Sequence, residues 1–157
     1  MRYSNRTSFI LSTTDAMGQP ACSLEAIMAG HAVGAHGCIL PVDTTQDGIT
    51  ILCAKGSYQV AGEALSVHEN SFETLRSTYP KLVSLGQALE LVRSYSGKMG
   101  IELHDPLTAA QVRVSLRCSE YLNHAYFCGL RPQQAAALAA AYPDLQVMVD
   151  LPPVSYT

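Results

Sequence analysis

The sequence predicts an α/β protein built on a parallel sheet. Short apolar runs alternate with segments of helical spacing, and the connections between them are short. The composition, 48% hydrophobic and 15% charged, suits strands buried on both faces rather than a disordered chain. At 157 residues, with no internal repeat, low-complexity tract or Gly/Ser linker, the chain reads as one domain over 1–157.

The elements follow in order. Residues 8–12 form a short apolar strand. Residues 23–33 have helical spacing, with Leu24, Ile27, Met28 and His31 near one face, Ser23 as N-cap and Gly34 as stop. Two apolar runs, 38–42 and 49–53, flank Thr44-Thr45-Gln46-Asp47-Gly48, whose Asp-Gly pair signals a turn; this predicts a strand that leaves the sheet and doubles back. Residues 55–62 read as loop and 71–76 as a short helix.

Residues 84–95 carry Leu85, Ala88, Leu89 and Val92 at helical spacing behind a Ser84 cap. A strand is expected at 99–103, a helix over 107–117, and a strand at 124–128. Pro132 opens a helix over 132–142, and a last strand runs 146–151 before Pro152-Pro153. The count is five sheet strands and one excursion, joined as right-handed βαβ units.

The bulk properties exclude several classes. A net charge of -3, with ten Lys and Arg scattered along the chain, gives no footprint for nucleic acid or an anionic membrane. The apolar stretch Phe9-Ile10-Leu11 is far shorter than a signal-peptide core, and no run reaches membrane-spanning length, so the expected location is cytoplasmic. Cys22, Cys38, Cys53, Cys118 and Cys128 are odd in number and lack C-x-x-C spacing, which suits reduced core residues.

Several segments carry a family signature. Ser23-Leu24-Glu25-Ala26-Ile27, Ala29-Gly30-His31, Gly34-Ala35-His36-Gly37, Val42, Thr45 and Asp47-Gly48 resemble, in order and spacing, the first third of glycerophosphodiester phosphodiesterases. Ser71-Phe72-Glu73-Thr74-Leu75-Arg76, Leu85-Gly86-Gln87-Ala88-Leu89-Glu90-Leu91 and Gly100-Ile101-Glu102-Leu103 resemble the family's later helix and third strand. The resemblance implies a TIM-barrel-like arrangement of parallel βα units with about five of eight strands, an incomplete barrel.

It also implies a loss of chemistry. The family's His-Arg-Gly and Pro-Glu-Asn-Thr fall on Ser12-Thr13-Thr14 and Pro20-Ala21-Cys22-Ser23. Its metal-binding Glu-x-Asp falls on Ile39 and Pro41, and its His-Asp on Ala54-Lys55. Glu102 stands where the family has its third metal carboxylate, and His104 where a lysine is usual.

A hard divalent cation wants several oxygen ligands, and Ile39 and Pro41 supply none from their side chains. Glu102 and His104 are therefore the candidate catalytic residues and Glu102 the candidate metal ligand, with Asp43 and Asp105 as possible partners. Ser12, Thr13 and Thr14 offer hydroxyls to a small anion. Cys22 and Cys53 are weaker nucleophile candidates, and His31, His36, His68 and His124 read as structural.

The expected function is a catalytically inactive binding or assembly module that needs no cofactor. The alternative is an active phosphoric diester hydrolase using Mg or Ca, with its site rebuilt around Glu102 and His104. The expected partners are a second copy or another chain covering the open sheet edge, and a small phosphate-containing ligand.

Overall fold

The computed structural model describes residues 11–13 and 18–149. Along the chain lie β1 (Leu11–Thr13), α1 (Leu24–Ala32), β2 (Gly37–Thr44), β3 (Thr50–Leu52), β4 (Ser57–Val60) and β5 (Glu63–Ser66). Then come α2 (Phe72–Thr78), α3 (Leu85–Ser94), β6 (Lys98–Leu103), α4 (Ala109–Cys118), β7 (Ala125–Leu130), α5 (Pro132–Ala141) and β8 (Gln146–Val149). Residues 8–10 and 150–151 of the two expected outer strands, and Thr14, lie outside the described residues.

The parallel strands run in the order β1-β2-β6-β7-β8 and curve into a half-barrel, with helices between successive strands. The expected excursion is present: β3 turns back antiparallel on the end of β2, pairing Val42 with Leu52 and Thr44 with Thr50. Its turn is held by Thr45, whose hydroxyl donates to Asp47 and accepts from the Ile49 amide, while Gly48 takes the left-handed φ of 82°. Pro41 faces the chain leaving β3 rather than β1, and its carbonyl accepts the Cys53 amide at 3.0 Å, so the strand keeps one of the two bonds at this position although proline supplies no N–H.

The helix starts follow the sequence. The hydroxyls of Ser23, Ser71 and Ser84 cap α1, α2 and α3, and Gln87 completes a capping box by accepting the Ser84 amide.

Two expectations need correction. Residues 55–62, read as loop, include β4 of a hairpin whose partner is β5. Ala61 and Gly62 make its two-residue turn at φ 52° and 82°, the doubly positive geometry that matches strand twist, without the Asn-Gly pair that would have announced it. Met28 and His31, placed on the apolar face of α1, are exposed, and the inward residues are Ala26, Ile27 and Gly30. Close approach decides this: a Cβ at Gly30 would sit 2.2 Å from the Ser12 hydroxyl, so α1 lies directly on β1 through its glycine. His31 stacks on Tyr95 instead, with centroids 3.8 Å apart.

The main core lies between one face of the sheet and helices α1, α3, α4 and α5. Cys38, Leu40 and Val42, Met99 and Ile101, and Phe127 meet Leu89, Val112, Leu116 and Leu138 there. A smaller cluster of Ile51, Val67, Leu75 and Leu82 lies under the hairpin. Three cysteines, Cys38, Cys53 and Cys128, are buried as expected; Cys22 is half-buried and Cys118 is exposed on α4. Burial pushes the Cys38 thiol up to about 12.

Candidate functional site

Parallel barrels build their sites at the C-terminal ends of the strands. Strand alternation turns Ile39, Pro41 and Asp43 away from the helix-packed core, and the register sets Pro41 directly opposite Glu102 and Ile39 opposite Gly100. Glu102 is exposed and has Cys128 on its other flank. Gly129, at φ 71°, follows; a Cβ there would lie 2.9 Å from the Glu102 side chain. The carboxylate thus faces an apolar side chain and a proline where a metal site would need further oxygens.

The polar chemistry gathers one step nearer the rim. Asp43 is fully buried, and its Oδ1 accepts from the Thr44 amide at 2.8 Å and from His68 Nε2 at 3.0 Å. Its Oδ2 is buried with no hydrogen-bond partner. The His68 and His104 rings lie 6.5 Å apart. Burial raises the Asp43 carboxyl above the usual carboxylate range, against the opposing pull of the Thr44 amide and the His68 and His104 imidazoles.

Each member is placed by backbone. The amide of His104 donates to the Val42 carbonyl at 3.2 Å, just past the end of β6. Gly56, at φ 72°, packs against that imidazole so closely that a Cβ would be 2.7 Å from Nε2. The Gly56 carbonyl accepts the Val67 amide, which brings the chain leaving β5 to the rim and sets His68 over Asp43.

Of the candidates, the structure therefore joins Asp43 to His68, with His104 beside them and Asp105 within electrostatic reach. His68 was read as structural and without a partner; its partner is Asp43, 25 residues earlier, and only the unrecognised hairpin brings the two together. Among the described residues no group of three His, Cys, Asp or Glu side chains is arranged to hold a metal ion. Cys53 is 2% exposed and its thiol is raised by burial, which makes it a poor nucleophile. An exposed imidazole backed by a buried carboxylate is an acid–base pair in form.

Beside the rim runs an open groove of about 660 Å³, lined by Cys22, Ser23, Lys55, Tyr58, Lys81 and Gln87 among others. Pro20 to Ser23 and Ala54-Lys55 fall in this wall.

No family model and no curated protein matches the chain. Solved structures do. The glycerophosphoryl diester phosphodiesterase domain of a Mycobacterium tuberculosis protein is similar at TM-score 0.73 and 18% identity, over 88% of this chain and 58% of that one. The glycerophosphodiester phosphodiesterase of Thermotoga maritima is similar at 0.66 and 20%, over 79% and 54%. An Oleispira antarctica phosphodiesterase, solved with its product sn-glycerol-3-phosphate, is similar at 0.70 and 15%, over 89% and 64%. The chain has the α/β fold of the glycerophosphodiester phosphodiesterases. It spans less than two thirds of each of these three chains.

Proposed function

We propose that this is a single-domain, non-catalytic glycerophosphodiester phosphodiesterase-like protein, working in the cytoplasm as a binding or assembly module linked to phospholipid metabolism. The observation that carries the reading is the pair Ile39 and Pro41 beside Glu102. The divalent cation that the fold implies, Mg or Ca, does not fit this donor set, since one carboxylate leaves most of the coordination sphere to water. The ligand is a small phosphate-containing molecule. The groove supports this, being of ligand size with Lys55 and Lys81 in its wall, as does the glycerol phosphate bound by the Oleispira phosphodiesterase.

One observation favours a second reading, an enzyme with a rebuilt site. Asp43, His68 and His104 form an acid–base cluster at the strand ends, where this fold class places its chemistry. In that reading Glu102 and His104 remain the catalytic candidates and Glu102 the metal candidate.

Hydrolysis of a glycerophosphodiester such as glycerophosphocholine, with Mg²⁺, Ca²⁺ or Mn²⁺ added, separates the two. The expected result is turnover no faster than the buffer blank. Metal-dependent turnover abolished by Glu102→Ala overturns the non-catalytic reading, and turnover abolished by His68→Ala but kept in Glu102→Ala assigns the activity to the Asp43 cluster.

A further inference from the structure

The face of the half-barrel turned away from the helices has a charge pattern that is its own complement. β6 is the central strand of the five, and Gly100 lies at its middle. Lys98 precedes Gly100 by two residues and Glu102 follows it by two, so strand alternation puts both charges on this face, each about 6.6 Å along the strand from Gly100. Lys98 sits here, its Nζ 5.8 Å from the centroid of the Tyr126 ring, and Glu102 is exposed.

The rest of the face is mostly apolar. A Cβ at Gly100 would touch Ile39, Leu11 and Cys128 at 3.1 to 3.4 Å, so these three side chains share it. Tyr126 stands opposite Gly100, and alternation along β8 adds Met148, which is 38% exposed. The helices α1, α3, α4 and α5 all pack on the opposite face.

We propose that this face is the interface of a two-fold homodimer, with the axis lying across the strands above Gly100. A rotation about that axis reverses strand direction and keeps strand order. It sets Lys98 of each copy against Glu102 of the other, in two equivalent pairs, and stacks the apolar row of Ile39 and Tyr126 on its own copy. An axis along the strands would instead oppose like charges, which selects between the two arrangements. This rests on the assembly reading above and goes beyond it in naming the surface, the axis and the paired charges.

The test is the mass in solution, by sedimentation or light scattering at micromolar concentration, of the full chain and its charge variants. The wild type should run at twice 16.9 kDa. Lys98→Glu alone and Glu102→Lys alone should each run at half the wild-type mass, because each homodimer would oppose like charges twice. An equimolar mixture of the two single variants should recover the dimer, since both cross-pairs are then opposite in charge. The double variant Lys98→Glu, Glu102→Lys should recover it as well.

Recovery in the mixture requires that both variants be folded, so a folding defect cannot imitate the expected pattern. Single variants that stay dimeric, or a mixture of folded variants that stays monomeric, overturn this interface and leave the assembly reading standing. A monomeric wild type overturns both.

Discussion

Replacing Ile39 with Glu and Pro41 with Asp should give the chain a divalent-cation site, with Ca²⁺ bound at on the order of 10⁻⁴ M or tighter where the parent shows no saturation. Ile39 and Pro41 point to the same side of β2, Pro41 stands directly across from Glu102, and the Ile39 side chain already lies over Gly100 on that side. Glu102 would then have two further carboxylates on the adjoining strand. Pro41→Asp suits the backbone, since the new N–H would lie on the side where the Pro41 carbonyl already accepts the Cys53 amide. Calorimetric titration of the folded double variant reads the result. If it binds no better than the parent, the scaffold as well as the donors has been lost, and the substitutions at these two positions do not explain the missing metal site.

The second large effect concerns Asp43. Its folded carboxyl is raised above the unfolded value of about 3.9 by burial, so below that pH the folded and unfolded chains both hold the proton and its contribution to stability is intact. As pH rises through the folded value, the unfolded chain releases the proton more readily and the contribution is lost. The wild type should therefore lose stability relative to Asp43→Asn as pH rises above about 4. For a chain of this length each 1 kcal/mol reads as about 2–4 °C in Tm, so thermal melts of the two proteins across that range resolve the effect. A constant Tm difference would show that Asp43 stays ionised throughout, with the His68 ion pair outweighing desolvation.

The sequence made most of the sheet readable because its signals are local. Ser23, Ser71 and Ser84 each sit one residue before a helix, and Asp47-Gly48 marks the reversal from β2 to β3. The β4–β5 hairpin was hidden because Val60-Ala61-Gly62-Glu63 lacks a polar turn pair, and Tyr58 and Leu65 pack against a small cluster of their own rather than the main core. The face of α1 was misjudged because spacing alone cannot show that Gly30 meets Ser12.

The site was legible in part. The family resemblance directs attention to positions 39, 41, 54 and 55 and to Glu102 and His104, and the register sets Pro41 beside Glu102. The Asp43–His68 contact is not legible, because it depends on the hidden hairpin returning Val67 to Gly56. Non-local contacts of this kind leave no periodic trace in a sequence.

The central proposal is a phosphodiesterase fold without a divalent-metal centre. Calorimetric titration of the wild-type chain with Mg²⁺, Ca²⁺ and Mn²⁺ tests it most directly. The account predicts no saturable binding up to about 1 mM, as expected for a lone exposed carboxylate; micromolar binding that disappears in Glu102→Ala would contradict it.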